Sequence, residues 1–295
     1  MFFPGFLEWD HAVDDGVVIH GRSGGSGPAV VLLHGHPRAH TTWHRVAPRL
    51  RDQGFTVVCP DLRGYGRSST PEPHADHRTY ADRAMAQDVV TLMDRLGHDR
   101  FVVVGHDRGQ GVAYRCALDH PDRVTALAVL DGIPAVDSAE RVDAHFAVAW
   151  WHWFFFAGSP HAERVVTADP DAWYRLDEAQ MGHESHAYVR AAVHDPDTVR
   201  AMLEDYRAGL SVDVDDDRDA LATGRRIRCP TLVAWSEHDD LEDLYGDPVA
   251  IWRRWVDAPV TSARIDSGHH MAEENPEQLS AVLADFARST QRRPD

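Results

Sequence analysis

The residues best suited to chemistry lie in the stretch FVVVGHDRG, from Phe101 to Gly109. A short apolar run leads into G-H-D-R-G, and a helix-like segment follows. Gly105 and Gly109 permit a tight, strained turn between strand and helix. Asp107 stands at the centre of that turn. A serine there would need a base to become nucleophilic, whereas a carboxylate is already ionised at neutral pH. The helix N-terminus and the neighbouring Arg108 favour the charged form further. Such a group is suited to attack a saturated carbon bearing a leaving group, or a strained ring, giving an alkyl ester. Water must then hydrolyse that ester, which requires a base. Taken alone, the motif also admits a lesser reading, an aspartate capping a helix between two glycines.

The elements that would position Asp107 follow an alternating pattern. Apolar runs at 29–33, 55–59, 101–104, 124–130, 231–235 and 260–265 read as strands. Helical patterns lie at about 43–51, 80–96, 109–120, 248–255 and 276–289. Residues 17–20 read as an antiparallel strand near the start. This rhythm predicts a mostly parallel α/β sheet flanked by helices. It breaks over 135–220, which is rich in aromatics and helix formers and ends in an acidic run at 213–217. That stretch reads as a helical cap inserted into a core made of 1–134 and 221–295. A nucleophile on a strand-to-helix elbow within such a sheet is the α/β-hydrolase pattern.

In that fold two further segments gain roles. LLHGHP follows the first buried strand, so the backbone N–H of His36 joins that of Arg108 in an oxyanion hole. DSGHHMAEE follows the last strand. There His269 is the base that reaches back to Asp107, while His270 points elsewhere. The acid that orients His269 has two candidates. Asp131 ends the strand at 124–130, and Asp239 follows the next one in WSEHD.

With these residues, the chain resembles the fluoroacetate and haloacetate dehalogenases of the α/β-hydrolase superfamily. The likeness runs through HGHPRAHTTWHRVAP, DLRGYGRS, GHDRG, AVLDGIP, WHWFF, DYRAG and SGHHMAEENPE, nearly the whole chain. It implies an eight-stranded sheet with a helical cap, and a homodimer. It implies Asp107 as nucleophile, His269 as base and Asp131, in preference to Asp239, as the acid partner. Arg108 would grip a substrate carboxylate. His152, Trp153 and Tyr206 would donate hydrogen bonds to the departing halide, lowering the barrier where charge develops. One position departs from the pattern. A second carboxylate-binding arginine, four residues after the nucleophile, is Gly111 here, and Arg115 lies a turn further on. Two outcomes are open: weak action on haloacids, or a substrate that is bulkier or lacks a carboxylate, with Gln110 and Gly111 leaving room.

The expected activity is hydrolysis of a carbon–halogen bond in a small haloacid or related organohalide, with inversion, halide release and no cofactor. An epoxide hydrolase would use the same Asp107 and His269, with Tyr206 and either Tyr174 or Tyr188 protonating the ring oxygen. A ligand-binding protein without activity is the third reading.

Composition narrows the field. The chain has 295 residues, 43% of them hydrophobic, which excludes a disordered protein. Its net charge is −17, and all 30 cations are arginine, with no basic run, so nucleic acid is excluded as a partner. Three scattered cysteines (Cys59, Cys116, Cys229) form no disulfide framework and point to a reducing compartment. The first residues lack a signal-peptide pattern, and the apolar stretch at 147–158 is too short to span a bilayer. A cytoplasmic protein without membrane association is expected. His74 and His77, like His183 and His186, lack the spacing and third ligand of a zinc site, so no metal is expected.

Overall fold

The computed structural model describes residues 2–14 and 16–291. Eight strands form one sheet: β1 (Leu7–Asp14), β2 (Val17–Gly24), β3 (Ala29–Leu33), β4 (Thr56–Pro60), β5 (Phe101–His106), β6 (Val124–Leu130), β7 (Thr231–Ser236) and β8 (Val260–Ile265), in the order β1-β2-β4-β3-β5-β6-β7-β8. β2 runs antiparallel to β1 and β4; the other neighbours are parallel. The central strands are almost wholly apolar because both faces are covered. Val31, Leu33, Val103, Val129 and Val233 point to one face, into a core shared with α1 (Asp82–Arg95) and α2 (Arg108–Asp119). Val30, Leu32, Val102, Val104 and Leu232 point to the other, against Trp43, Leu50, Leu279 and Leu283. This alternation is the two-residue period of a strand.

Between β6 and β7 the described residues form helices and no strand. Three matter most for the site: α3 (Trp151–Gly158), α4 (Pro196–Gly209) and α5 (Val212–Ala222). The acidic run at 213–217 falls within α5, and Asp213, Asp216 and Asp217 are buried. Asp217 accepts from Arg115 Nη2 at 2.7 Å, from the Tyr114 hydroxyl at 3.0 Å and from the Val136 N–H at 3.1 Å. The run therefore works as a charged clasp joining this helical segment to α2, since buried carboxylates need such partners.

The structure departs from the sequence reading in three elements. β1 was not anticipated, because it is an edge strand whose residues are all exposed or half-exposed and whose apolar alternation is weak. The expected helix at 43–51 divides into a 3₁₀ turn, His40–Arg45, and a short helix, Ala47–Asp52 with Pro48 in its first turn. The helix expected at 248–255 stops at Trp252. Among the described residues no helix is long and apolar enough to cross a membrane.

The parallel strands align their carboxyl ends, with Leu33 beside Gly105, His106 beside Leu130 and Ser236 beside Ile265. Asp107, Asp131, Asp239, His269 and the turn at His34–His36 all follow those ends. The elbow is tight. Asp107 adopts φ 51° and ψ −124°. A β-carbon at Gly105 would press into the Gly109 carbonyl oxygen, and both sides of that contact are backbone. Gly105→Ala should therefore destabilise the fold by about 1–3 kcal/mol through overpacking. A lowered Tm in circular dichroism checks this, and an unchanged Tm would refute the close packing.

Candidate active site

Asp107 enters the site on its strained turn and is held there from two sides. The His36 backbone N–H donates to its Oδ1 at 2.7 Å. Gly35 makes this possible, because a β-carbon there would collide with the Asp107 carboxyl group. His269 Nε2 lies 3.6 Å from Oδ2. Burial alone would raise the Asp107 pKa. The His269 bond and charge, with the Arg108 backbone N–H, outweigh it and hold the group far below the usual carboxylate range. The two backbone donors expected at His36 and Arg108 thus both act on this carboxyl group. Burial pulls the other way on His269, yet its bonds to Asp107 and Asp239 raise its pKa well above the ordinary value. The resting site is an ion pair.

His269 Nδ1 meets Asp239 Oδ2 at 2.8 Å, whereas Asp131 Oδ2 is 3.7 Å away. This corrects the expectation that Asp131 is the direct acid partner. The reason is visible in β7. Asp131 accepts from the Ser236 N–H at 2.8 Å and forms a very short bond with the Ser236 hydroxyl. That hydroxyl also contacts the Gly268 carbonyl at 2.7 Å. A hydroxyl has one proton for two acceptors, so a protonated Asp131 completes the chain by donating to Ser236. Burial pushes Asp131 up to about 6, so this protonated form is held below pH 6 and the carboxylate predominates at neutral pH. Asp131 thereby braces the loop carrying His269. A second brace is His106, which donates from Nε2 to the His269 carbonyl at 2.8 Å; burial lowers its pKa to about 3, so the ring is neutral.

Asp107, His269, His36, His152, Trp153 and Tyr206 line one cavity of about 350 Å³, completed by Pro37, Ala149, Trp150, Asp239, Asp240 and His270. α3 supplies His152 and Trp153, and α4 supplies Tyr206. Their rings meet edge to face, with Trp153 and His152 centred 5.9 and 6.0 Å from Tyr206. No side-chain hydrogen bond involving His152, Trp153 or Tyr206 is found among the described residues, so their donors are free to serve a guest. Trp150, Asp240 and His270 were missed as lining residues. Trp150 sat within the aromatic run, but nothing in sequence distinguished it from its neighbours; its indole donates to Asp240 Oδ2 at 2.7 Å.

Arg108 does not line this cavity. The expectation that it grips a substrate carboxylate is corrected by its partner. Its Nε donates to Asp205 Oδ1 at 3.0 Å, and its Nη2 to the same carboxylate, more closely, and to the Asp205 carbonyl at 3.0 Å. The guanidinium lies 5.2 Å from the Tyr206 ring centre, and Gly209 lets it approach α4. Gly111 and Gln110 open no extra room either. A β-carbon at Gly111 would strike the Asp82 carboxyl group, and Gln110 donates to the Ile133 carbonyl at 3.1 Å.

Among the described residues three groups hold potential metal-ligand atoms within 4.8 Å of one another. Glu237, His238 and Asp266 are exposed, and His238 Nε2 bonds Asp266 Oδ1 at 2.9 Å; the other two groups are already engaged. In His106, Asp131 and His269, Asp239 and Ser236 take the relevant bonds. In His20, His40 and Asp61, each histidine is bonded to a carboxylate at 2.8 Å, and the group lies outside the cavity. Of the tyrosines considered beside Tyr206, Tyr188 donates to Asp61 at 2.5 Å, and neither it nor Tyr174 lines the cavity.

The profile of the alpha/beta hydrolase fold family matches residues 28–276. A fluoroacetate dehalogenase from Burkholderia sp. is 41% identical over 96% of this chain and 94% of its own length. A soluble epoxide hydrolase from Corynebacterium sp. (strain C12) is 31% identical over 94% of this chain and 96% of its own. A crystal structure from Salmonella enterica, provisionally named an acyltransferase, superposes with a TM-score of 0.93 at 39% identity, over 98% of this chain and 97% of that one.

The two acids are separable by experiment. Asp239→Asn should cut turnover by about 100- to 10,000-fold, as loss of a histidine-orienting carboxylate does. Asp131→Asn should cost less than about 10-fold, since Asp239 and not Asp131 holds His269 Nδ1, and an amide can still bond Ser236. The pH dependence has a definite sign. A folded pKa near 6, raised above 3.8, gives stability that is lost as pH rises through 6. Asp131→Asn should match the parent near pH 4 and gain on it above pH 6, by up to about 3 kcal/mol in denaturant unfolding. A constant difference across pH would remove the protonated Asp131.

Proposed function

Since the chain belongs to the α/β-hydrolase family, and within it to the kin of fluoroacetate dehalogenase, we propose that it hydrolyses carbon–halogen bonds of small organohalides through an ester of Asp107. The observation that carries this reading is the ion pair of Asp107 and His269 beside three unpartnered donors in one cavity.

The steps follow from the geometry. The His36 N–H occupies Oδ1, so Oδ2 is the attacking oxygen. It displaces halide from carbon, with inversion, and an alkyl ester forms. The indole of Trp153, the hydroxyl of Tyr206 and the neutral imidazole of His152 receive the departing halide. Burial keeps His152 neutral and raises the Tyr206 pKa, so both keep their protons. Esterification then removes the charge that had held His269 protonated. His269 releases its proton to solvent and becomes the base that takes one from water. The hydroxide adds to the ester carbonyl, and the His36 and Arg108 N–H groups hold the oxyanion at Oδ1. Collapse restores Asp107 and expels the alkoxide, which takes the proton back from His269 and leaves as the alcohol. The base is thus available only after the nucleophile has reacted. The helices between β6 and β7 act as a cap that shields the ester from bulk water.

Epoxide hydrolysis is the second reading, and the Corynebacterium relative favours it. It needs a proton for the ring oxygen. Tyr206 can donate one, but Tyr174, whose hydroxyl is buried and partnerless, stands outside the cavity lining, which favours halide as leaving group.

With an organohalide panel, Asp107→Asn should release no halide. His269→Gln should release a single halide per chain and then stop, with the alkyl adduct retained in intact-protein mass spectra. Diol from epoxides, without halide from any organohalide, would transfer the protein to the second reading.

A further inference from the structure

We propose that the cavity selects an uncharged organohalide, with a haloacetamide as the simplest example, and excludes haloacids by their charge. This rests on the aspartyl-ester reading of the same cavity. The argument begins with what lines it. Among the described residues no arginine does, and Asp107, Asp239 and Asp240 all do. His269 is the one lining group that carries a positive charge, and Asp107 and Asp239 share it. His36, His152 and His270 line the same space, and burial lowers the pKa of each, so they contribute no cation. Asp107 and Asp239 thus outnumber the one cation, even before Asp240 is counted.

The two places where a cation would serve a carboxylate are both closed. Arg108 is neutralised by Asp205, whose other oxygen accepts from the Tyr65 hydroxyl at 2.6 Å, so the acceptor itself is fixed. At Gly111 a side chain would meet Asp82. Asp82 is held in turn by α5, its N–H donating to Asp213 Oδ1 at 3.0 Å. A haloacid would thus bring a negative charge into a negative, partly desolvated cavity without a partner, which burial penalises strongly. An amide of the same shape carries no such charge and can use the free donors of Trp153, Tyr206 and His152.

Chloroacetamide and chloroacetate make the direct comparison, and chloride release measures it. The three thiols are buried, with pKa values raised by burial, so alkylation of cysteine does not compete. We expect kcat/KM for the amide to exceed that for the acid by at least about 10-fold, the scale of one missing charged hydrogen bond. Added salt should narrow the gap by screening. Asp205→Asn, which keeps an acceptor for Arg108 but removes the charge, should narrow it too. Equal or better use of chloroacetate would overturn the proposal. A second arm needs no turnover: quenching of Trp150 and Trp153 fluorescence by phenylacetamide and phenylacetate. Binding of the amide alone upholds charge selection even if neither chloride is released, a result that would sink only the dehalogenase reading. Equal or tighter binding of phenylacetate overturns charge selection whatever the chemistry.

Discussion

Burying a carboxylate costs several kcal/mol unless hydrogen bonds and an opposite charge replace its water. Asp107 obtains both, and the surrounding architecture can be read as the means of supplying them. The parallel strands end together, so β3 delivers the His36 N–H and the loop after β8 delivers His269. The helix that begins at Arg108 adds a second N–H and the favourable end of its dipole. Glycine at position 35 lets the backbone come close enough to bond. Each of these contributions needs Asp107 to stand where its positive φ puts it. A turn relaxed by even one ångström would leave the charge unsatisfied.

In the proposed reaction the same ion pair sets the order of the chemistry. A histidine kept protonated by two carboxylates is a poor base, and one of those carboxylates is the attacking group. Asp239 remains after esterification and keeps Nδ1 occupied, which leaves Nε2 to face water. Asp131 cannot fill that place while it is spent on Ser236. Two acids near one imidazole repel each other, and this repulsion adds to the burial that lifts Asp131 to about 6. The division also ties catalysis to β7, because Ser236 links Asp131 to the Gly268 carbonyl beside the base.

Much of this was legible in the sequence. The buried strands announced themselves as apolar runs, and the GHDRG turn identified Asp107 because an elbow demands small residues on both sides. His269 was distinguishable from His270 by the glycine before it. The edge strand β1 was not legible, since an exposed strand needs little apolar alternation. Nor was the choice between Asp131 and Asp239. Both follow strand ends, and what separates them is a hydroxyl on β7 distant from either in the chain. Trp150 and Asp240 escaped for a similar reason: they face the cavity only because α3 and the loop after β7 meet there.

The least legible feature was the role of Arg108, and its cause is general. A sequence motif reports a residue type at a position, whereas the function of a charge depends on what neutralises it. Arg108 lies in GHDRG and Asp205 in DYRAG, almost a hundred residues apart, yet they act as one buried pair. The last glycine of DYRAG, Gly209, gives the guanidinium its space, and Tyr206 of that motif lies between the pair and the cavity. Read as a unit, the two motifs describe a neutral strut behind the cavity wall. The acidic run in α5 extends the same logic, for Asp217 holds Arg115 as Asp205 holds Arg108, while Asp213 accepts from the Asp82 backbone N–H. The arginines near the elbow are thereby consumed in joining the helices between β6 and β7 to the sheet. What remains facing the cavity is a set of aromatic rings, three neutral donors and carboxylates that share one imidazolium.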